Sequence, residues 1–590
     1  MDFDIITSNK DAVALGRHLN KCQVLGFDSE TDCTTDSFDW QNEKQLFHQY
    51  SDGKKAYIVD LRRVRVDPFR DCLENKNIVK IIQDSSFDAT WTAREHSIYI
   101  RNIHDTRYQE QILLGVALPR ELRKDVRALL EPKFSASLKH QFARRGWPDK
   151  TGFEPMYPLP WEPSTGQINY MVHDVDMLHE LRDDQLSKLS QRGLLNLSIL
   201  ENEVAVVTYN MMLNGFGINV EGWMRFTQEE ERYCNNILGQ LKKIAAINWG
   251  SWAQYCRFFG VPRTAHLDNI HGPDFWEHDR AKMWKALQLF RLYQERKKNV
   301  TTYGRSFLDQ FYRNGLVRSK FTQIVNTGRF ASAQPDLQNI PSTTPHKSFM
   351  IPGHGEFNVF VRADFSGQEM AIIAFISQEP SWLKCLREGG DLHTLVASTI
   401  LRDWNSWSKE RRKTERRIIK IINFSIAYGA GVDTIALRAG TTSHDISMRL
   451  GMMQRAYPKV FAALERNAND AALKWVSQSL PPFNRYRSLA LEPQSWRREN
   501  IGKNTPVQGT AADMAKLALV YLLYKIDDGL PGLICHMEHD ELLVECHRDN
   551  AETVKLALEA CMNQACTDIL GEPLSQPELT VSVNWDKRKE

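Results

Sequence analysis

Four side chains recur at every fourth position of one segment, and together they could bind a nucleotide. They are Arg416, Lys420, Phe424 and Tyr428. On an α-helix this spacing places two cations and two aromatic rings on one face. An arginine and a lysine one turn apart suit a triphosphate, and an aromatic ring can stack on a sugar or base. The segment predicts a nucleotide-binding helix; the alternative is a solvated basic helix, because residues 409–420 carry many charges.

An enzyme that transfers a bound nucleotide with the help of two divalent metals would need carboxylates beside the substrate phosphates. Two predicted strands supply them. Residues 359–363 alternate like a strand that ends at Asp364, and two apolar runs flank Asp540 as in a β-hairpin. Taken alone, each acid is more often a turn residue or a helix cap.

A second set of acids lies in the N-terminal third. An apolar run ends at Asp28 and Glu30, which we interpret as acids at a strand end; Asp88 follows, and Tyr170 precedes Asp174 by one helical turn. A phosphodiesterase that uses two metals needs about four carboxylates from separate elements and a tyrosine that orients water. The pattern indicates a separate hydrolytic centre, although a lone D-x-E is a weak signal.

The segment RRIIKIINFSIAYG resembles the fingers-helix motif of family A DNA polymerases, R-x3-K-x3-N-F-x3-Y-G, with Ser425 in place of the usual glycine. ADFSGQEMAIIAFIS and HDELLVE resemble motifs A and C of that family. The resemblance implies that Asp364 and Asp540 are catalytic metal ligands, joined by the carbonyl of Phe365, and that Glu541 supports them. The residues implied to bind the incoming nucleotide are Arg416, Lys420 (also catalytic), Phe424, Tyr428, Glu369, His393 and Phe365. Among these, Glu369 would block a ribose 2′-hydroxyl.

Three further segments resemble this family: TGRFASAQPDLQNIP, the D-x-H-T at 391–394, and NTPVQGTAADMAK. The residues thereby implied to contact DNA are Arg329, Asn339, Asn504, Gln508 and, from motif C, His539. Gly367, Gln368 and Ala371 depart from the usual family residues, which leaves open the substrate preference near the nascent base pair. The Gly367-Gln368 departure also leaves open a preference for a modified base such as 2-aminoadenine. Asn500 stands where the family commonly has an arginine, which leaves open whether that contact is lost or shifted to Arg497 or Arg498.

The N-terminal acids resemble the D-E-D-D proofreading 3′→5′ exonucleases whose third motif is Y-x3-D. The resemblance implies metal binding by Asp28, Glu30, Asp88 and Asp174, and catalytic roles for these four and Tyr170. Asp84 stands where asparagine is more usual, which leaves the rate of excision open. Both centres are expected to use two Mg²⁺ ions each, with Mn²⁺ as a substitute.

The implied architecture is an α/β multidomain chain in which an RNase H-like exonuclease domain precedes a right-hand polymerase. We predict an exonuclease domain at 1–190, a thumb at 191–320, fingers at 401–484, and a palm formed by 321–400 and 485–590. A length of 590 residues agrees, since it predicts about four domains. The right-hand shape rests on the resemblance alone.

The composition indicates the thiol state, the metal content and the location of the protein. The ten cysteines form no C-x2-C pair, and we see neither a secretory signal nor an apolar span near membrane length. These features predict reduced thiols, no zinc site, no membrane association and a cytoplasmic protein, in the host cytoplasm if a phage encodes it. The net charge of +2 says little, because acidic centres and basic channels offset each other.

The predicted function is template-directed addition of deoxynucleotides to a primer 3′-hydroxyl, with 3′→5′ proofreading. The expected partners are primer-template DNA and deoxynucleoside triphosphates, with a processivity factor or replisome proteins as further candidates. Bacterial repair polymerases of this family usually carry an N-terminal 5′ nuclease, for which there is no room before Asp28, so the chain resembles a phage or organellar replicative enzyme. Of these two, we favour a phage enzyme. The alternatives are a DNA-binding replication protein with a degenerate polymerase site, or an enzyme that is mainly a nuclease.

Overall fold

The computed structural model describes residues 2–32, 44–116, 124–147, 155–262, 267, 270, 272–341 and 343–586. The chain divides into two compact units. The first contains Met1–Gly215, Ser319–Gln338 and Phe360–Ser582, and the second contains Phe216–Arg318, Asn339–Val359 and Val583–Glu590. Among the described helices, none combines the length and apolar character that a bilayer crossing requires.

The N-terminal part of the first unit is an α/β layer structure. Its strands are β1 (Asp2–Ile6), β2 (Val24–Thr31), β3 (Gln45–Ser51), β4 (Lys55–Asp60), β5 (Val79–Ile82) and β6 (Ile103–Asp105). Its helices are α1 (Asn9–Leu19), α2 (Arg70–Glu74), α3 (Ser85–His96), α4 (Thr106–Leu114), α5 (Lys124–Phe134), α6 (Leu138–Arg145), α7 (Thr165–Asp176) and α8 (Leu178–Gln191). The sheet order is β1-β4-β3-β2-β5-β6. Strand β3 runs antiparallel to β4 and β2, whereas β1 with β4, β2 with β5, and β5 with β6 are parallel.

Helix α7 packs on this sheet through an apolar stripe. Met171, Val172 and Val175 are buried against sheet residues that include Phe47 and Ile58. The stripe follows the three- and four-residue spacing of an amphipathic helix. Packing of this stripe fixes the position of the polar residues that α7 also carries.

The remaining elements follow in chain order. The strands are β7 (Phe216–Ile218), β8 (Tyr312–Arg313), β9 (Leu316–Val317), β10 (Lys320–Thr322), β11 (Ala331–Ala333), β12 (Met350–Ile351), β13 (Val359–Phe365), β14 (Val476–Gln478), β15 (Tyr486–Ser488), β16 (Leu533–Glu538), β17 (Glu541–Cys546) and β18 (Pro577–Ser582). The helices are α9 (Leu195–Asn214), α10 (Val220–Ile244), α11 (Trp252–Phe259), α12 (Arg280–Thr301), α13 (Arg305–Phe311), α14 (Gln368–Ser377), α15 (Pro380–Arg387), α16 (Leu392–Ile400), α17 (Lys409–Ala427), α18 (Val432–Ala439), α19 (Ser443–Ala456), α20 (Pro458–Lys474), α21 (Ser495–Asp527) and α22 (Ala551–Leu570).

A four-stranded sheet in the first unit has the order β16-β17-β13-β18. Strand β13 is antiparallel to β18, with Asp364 opposite Glu578. Strands β16 and β17 form a hairpin whose turn is His539 and Asp540. The predicted strand before Asp364, the predicted hairpin around Asp540 and the predicted helix that begins before Arg416 are therefore confirmed.

The acids predicted at a strand end lie in the second half of β2. Asp28 and Glu30 are the fifth and seventh of its eight residues, and the strand continues to Thr31. The strand continues because β3 pairs with it as far as Thr31, which lies opposite Gln45.

The second unit combines helices α10 to α13 with a small sheet of order β12-β7-β9-β8. Its helical core contains the buried rings of Trp249, Phe259 and Phe290. Ring centroids of Trp249 and Phe290 lie 5.5 Å apart, within the range of favourable aromatic contacts. Aromatic packing thus supplies much of the apolar burial in this unit.

A buried ionic cluster connects α9, α21 and the strand β15 region. The Nζ atom of Lys516 donates to Glu201 at 2.7 Å and to the carbonyl of Gln323 at 2.9 Å. Arg485 donates to Asp513 at 2.7 Å and also pairs with Glu201. Glu201 and Lys516 are fully buried, so each charge depends on its partners for solvation.

Removal of one partner from this cluster should be costly. We expect Lys516→Met to lower the free energy of unfolding by about 3–5 kcal/mol, because Glu201 would retain a buried charge with one cation fewer. Lys525→Met, at an exposed position of the same helix, serves as the control and should change stability little. Urea denaturation followed by circular dichroism measures both. Equal stability of the two variants would contradict the assigned role of the cluster.

Candidate active sites

Two strands bring the predicted polymerase carboxylates to one edge of a sheet. Asp364 lies at the end of β13, and Asp540 lies in the turn that precedes β17. These strands are neighbours in the sheet, and the backbone N–H of Phe365 donates to the carbonyl of Asp540 at 3.3 Å. Two aspartates at one sheet edge offer the hard oxygen ligands that Mg²⁺ prefers.

Glu541 and Arg362 add charges of opposite sign beside this pair. Glu541 is buried, and its Oε2 lies 3.6 Å from Nε of Arg362. Arg362 precedes Asp364 by two residues in β13, and strand residues two apart share a face. The sequence interpretation missed Arg362, although this spacing was a usable signal. His539, in contrast, is exposed in the hairpin turn.

Four predicted residues from four segments meet in one hydrogen-bonded network. Tyr428 donates its hydroxyl hydrogen to Glu369, at 2.9 Å and 3.1 Å from the two carboxylate oxygens. Arg329 donates to Glu369 at 2.7 Å, and Gln508 donates to the Tyr428 hydroxyl at 2.6 Å. Burial, and then the charge of Glu369, raise the pKa of Tyr428. The tyrosine therefore remains a hydrogen-bond donor, and the network links helices α14, α17 and α21.

Helix α17 presents Arg416 to a partner that the sequence interpretation did not assign. Both Nε and Nη2 of Arg416 donate to Asp391, at 2.6 Å and 2.9 Å. Asp391 also caps α16 by accepting from the backbone N–H of Thr394. Burial acts to raise the pKa of Asp391, but hydrogen bonds from Arg416 and Thr394 outweigh it and lower the pKa to about 2. Asp391 is thus ionised at neutral pH and holds Arg416 in a bidentate pair.

His393, Phe424 and Lys420 lie next to one another near this pair. Burial lowers the pKa of His393 to about 4, so its imidazole is neutral at pH 7. Its Nδ1 lies 3.0 Å from the Nδ2 of Asn423, and a neutral ring can accept that hydrogen bond. The ring of Phe424 is 5.7 Å from the His393 ring, and Nζ of Lys420 is 5.8 Å from the Phe424 ring. The exposed lysine and the two rings form one cationic and aromatic surface.

The residues predicted to contact DNA belong to both units of the chain. Asn504 precedes Gln508 by one turn of α21, and its Oδ1 is buried with no hydrogen-bond partner among the described residues. Asn339 belongs to the second unit, where its carbonyl accepts from the Tyr303 hydroxyl at 2.9 Å. Their contacts with DNA stay predictions.

A three-carboxylate cluster forms the predicted exonuclease centre. Carboxylate oxygens of Asp28, Glu30 and Asp174 all lie within 4.8 Å of one another. Asp28 and Glu30 share a face of β2 because they are two residues apart. Gly26 lies on the same face, and a Cβ added there would be 3.3 Å from the Val175 carbonyl of α7. The close approach of α7 to this face brings Asp174 to the pair.

Asp88 lies beside this cluster but outside it. It accepts a hydrogen bond from the Ser29 hydroxyl at 2.7 Å, and burial, with a smaller contribution from Asp84, raises its pKa to about 8. The structure therefore brings three of the four predicted acids together and attaches the fourth through Ser29. Burial, followed by the charge of Asp174, also raises the pKa of Tyr170. The phenol stays protonated and can donate a hydrogen bond to a nearby oxygen.

Two family models match separate parts of the chain. The family model described as DNA polymerase family A matches residues 278–587, more than half of the chain. The chain belongs to DNA polymerase family A. A second model, described as 3′-5′ exonuclease, matches residues 3–190. The predicted family membership, the α/β fold with an exonuclease domain before a polymerase domain, and the assignment as a DNA-directed DNA polymerase with exonuclease activity are confirmed.

Curated relatives of the polymerase are bacterial DNA polymerase I proteins. DNA polymerase I of Aquifex aeolicus is 24% identical over the full length of both chains. DNA polymerase I of Pseudomonas aeruginosa is 28% identical across all of this chain and 66% of its own length. The thermostable DNA polymerase I of Thermus filiformis is 30% identical over 52% of this chain and 36% of its own length. The polymerase thus spans about a third of that Thermus relative.

One solved structure with the same fold is the POL domain of Pol1 from M. smegmatis in complex with DNA primer-template and dNTP. Its TM-score is 0.80, and the match covers 99% of each chain at 17% identity. At this level of identity the likeness establishes the fold alone.

The three-carboxylate cluster makes a prediction about divalent ions. Like charges repel, so without divalent ions Asp28→Asn should raise the melting temperature of the exonuclease domain, by about 2–4 °C for each kcal/mol of repulsion relieved. Added Mg²⁺ or Mn²⁺ should stabilise the parent more than this variant, because ligand binding to the native state stabilises it.

Differential scanning fluorimetry with EDTA and with each metal measures both effects. Asp183→Asn, an exposed acid of α8, is the control and should behave as the parent. If the metals stabilise Asp28→Asn as much as the parent, the cluster does not bind them.

Proposed function

We propose that the polymerase extends a DNA primer with Asp364 and Asp540 as its metal-binding carboxylates. The observation that carries this proposal is the hydrogen bond from Phe365 to the carbonyl of Asp540, which fixes two acids from distant parts of the sequence at one sheet edge. The Phe365 carbonyl is proposed as a further ligand, and Glu541 as the acid that supports the pair through Arg362.

The donors present suit divalent ions at both centres. Oxygen-only carboxylate ligands favour Mg²⁺ or Mn²⁺, and three carboxylates within 4.8 Å require a cation to offset their repulsion. Bound divalent ions would activate the attacking oxygen and stabilise the charge that develops on the phosphate. We propose two ions for each centre, with Asp88 completing the exonuclease set of Asp28, Glu30 and Asp174.

We propose that the α17 face binds the triphosphate. Lys420 is exposed on that face, and Arg416 lies one turn before it. An incoming triphosphate would compete with Asp391 for Arg416, because both are anions that suit a guanidinium fork. If Arg416 exchanges Asp391 for the triphosphate, nucleotide binding would be coupled to movement of α17. Such a coupling is how induced fit selects a correct substrate. Phe424, His393 and Tyr428 would then border the sugar and base.

The network around Glu369 supports a role in sugar selection. Arg329 and Tyr428 hold its carboxylate in one orientation. A carboxylate that two hydrogen bonds fix in place can occupy the space that a ribose 2′-hydroxyl would need, and so exclude a ribonucleotide. Through Gln508 and Asn504 the same network would reach the minor groove, where every correct base pair presents acceptors.

In the exonuclease centre, we propose that Tyr170 orients the attacking water. Its phenol stays protonated because burial and Asp174 raise its pKa. Asp28, Glu30, Asp88 and Asp174 would hold the ions, and Ser29 would keep Asp88 beside them. The reaction would release the 3′-terminal nucleotide of an unpaired strand.

The proposed substrates and partners are primer-template DNA and deoxynucleoside triphosphates, which the M. smegmatis complex also contains. Association with a processivity factor or replisome proteins, a cytoplasmic location and a role in phage replication stay predictions. Two alternative hypotheses are less favoured: a replication protein with a degenerate polymerase site, and an enzyme that is mainly a nuclease. Both are less favoured because the residues of an intact polymerase site are all present: Asp364, Asp540, Arg416 and Lys420.

Variants with one damaged centre test this assignment. Asp540→Ala should lower primer extension by about a thousandfold, since metal ligation contributes several kcal/mol and about 1.4 kcal/mol corresponds to tenfold. It should leave 3′ degradation of a single strand near the parent rate. Asp28→Ala with Glu30→Ala should show the reverse pattern, so each variant is the control for the other. Extension by Asp540→Ala at the parent rate would refute the polymerase assignment.

Substitutions of Glu369 test sugar selection. Glu369→Ala should raise the ratio of ribonucleotide to deoxyribonucleotide insertion by about tenfold to a hundredfold, because the space for the 2′-hydroxyl opens. Glu369→Gln keeps the volume and should keep most of the discrimination. Single-nucleotide insertion kinetics measure the ratio. A ratio that stays unchanged in Glu369→Ala would remove this residue from the role, and a similar rise in both variants would assign the effect to charge.

A further inference from the structure

A cavity of about 510 Å³ lies within the first unit, beside the exonuclease centre. One wall comes from helices α3 and α4 and the other from the β10–β11 segment of the polymerase part of the chain. The lining residues that matter below are Asp84, Arg107, Phe87, Tyr108, Lys320 and Phe321. The volume lies in the range of small-ligand sites, about 300–1,000 Å³.

Arg107 and Asp84 form an ion pair at this cavity. An Nη1 hydrogen of Arg107 is donated to Asp84 Oδ2, and the Ser86 hydroxyl donates to Asp84 Oδ1 at 2.7 Å. Among the described residues, Asp84 is the hydrogen-bond acceptor of this guanidinium, which has five N–H donors. The Arg107 side chain is 40% exposed. Part of the guanidinium is therefore available to a ligand in the cavity.

The position of Asp84 connects the ion pair to the nuclease. Asp84 is the N-cap residue of α3 with a positive φ of 67°, and Asp88 lies one turn further along that helix. Residues four apart on a helix lie about 5–6 Å apart at their Cβ atoms. An anionic strand that reaches the carboxylates by this side passes Asp84. Alone, Asp84 would repel it, and Arg107 offsets that negative charge.

The other lining groups suit the same ligand. Lys320 supplies a second cation, and Phe87, Tyr108 and Phe321 supply rings. Proteins that hold single-stranded DNA combine cations for the phosphates with aromatic rings for the bases. We propose that Arg107 contacts a phosphate of the unpaired 3′ strand in this cavity, and that Asp84 is the positioning residue that holds the guanidinium. This inference rests on the proposed exonuclease function.

Degradation kinetics on a 5′-labelled oligothymidylate test the proposal. Arg107→Ala should raise KM by about tenfold or more, the loss expected for one charge-assisted hydrogen bond, and Arg107→Lys should restore most of it. A plot of log KM against log salt concentration should become shallower by about 0.7 in Arg107→Ala, because one phosphate contact on a single strand is lost. Arg70→Ala is the matched control: Arg70 is 37% exposed and paired with Glu74 in the same domain. It should change neither value.

A double variant separates contact from charge neutralisation. If Arg107 served only to neutralise Asp84, then Asp84→Asn in the Arg107→Ala background would restore both KM and the salt slope, and that result would overturn the proposal. We expect the slope to stay shallow. An Arg107→Ala protein with the parent KM and slope would also overturn it. Absence of degradation by the parent would instead refute the exonuclease function, and fluorescence anisotropy of the same oligonucleotide in EDTA would then decide whether Arg107 binds the strand.

Discussion

Pairing of β13 with β17 is the constraint on which the proposed polymerase centre depends. The two strands come from distant parts of the sequence, and the hydrogen bond from Phe365 to the carbonyl of Asp540 holds their ends together. Carboxylates repel each other, so a site that concentrates them needs a rigid backbone to hold it. The β-sheet supplies this rigidity, and α9 and α22 pack against it. Gln508 of α21 donates to Tyr428 at the end of α17.

Buried ion pairs are a second constraint on the structure of the molecule. The buried cluster of Glu201, Lys516, Arg485 and Asp513 lets charged residues occupy the interior next to the segment that carries Arg329. A Cβ at Gly328, the neighbour of Arg329, would lie 2.5 Å from Nε of Arg485. This contact requires a glycine, whose φ of 82° also lies in the left-handed region. The packing of Arg485 against Gly328 thereby fixes the backbone conformation next to Arg329.

Periodicity in the sequence predicted the elements that carry the chemistry. Alternation identified the strand before Asp364, and the four-residue spacing identified the face of α17, because each depends only on local geometry. Contacts between elements were less predictable. The partner of Arg416 is Asp391 on another helix, and Asp88 is held by Ser29 outside the three-acid cluster. Local spacing defines which face a residue occupies but not which neighbouring element packs against that face.

We propose that the two chemistries use two separate groups of carboxylates. Anomalous diffraction from crystals soaked in Mn²⁺ can locate both groups, because it gives manganese positions without an activity assay. We expect manganese at Asp364 and Asp540, and separately at Asp28, Glu30 and Asp174. Full occupancy at one group with no manganese at the other, at saturating concentration, would contradict it.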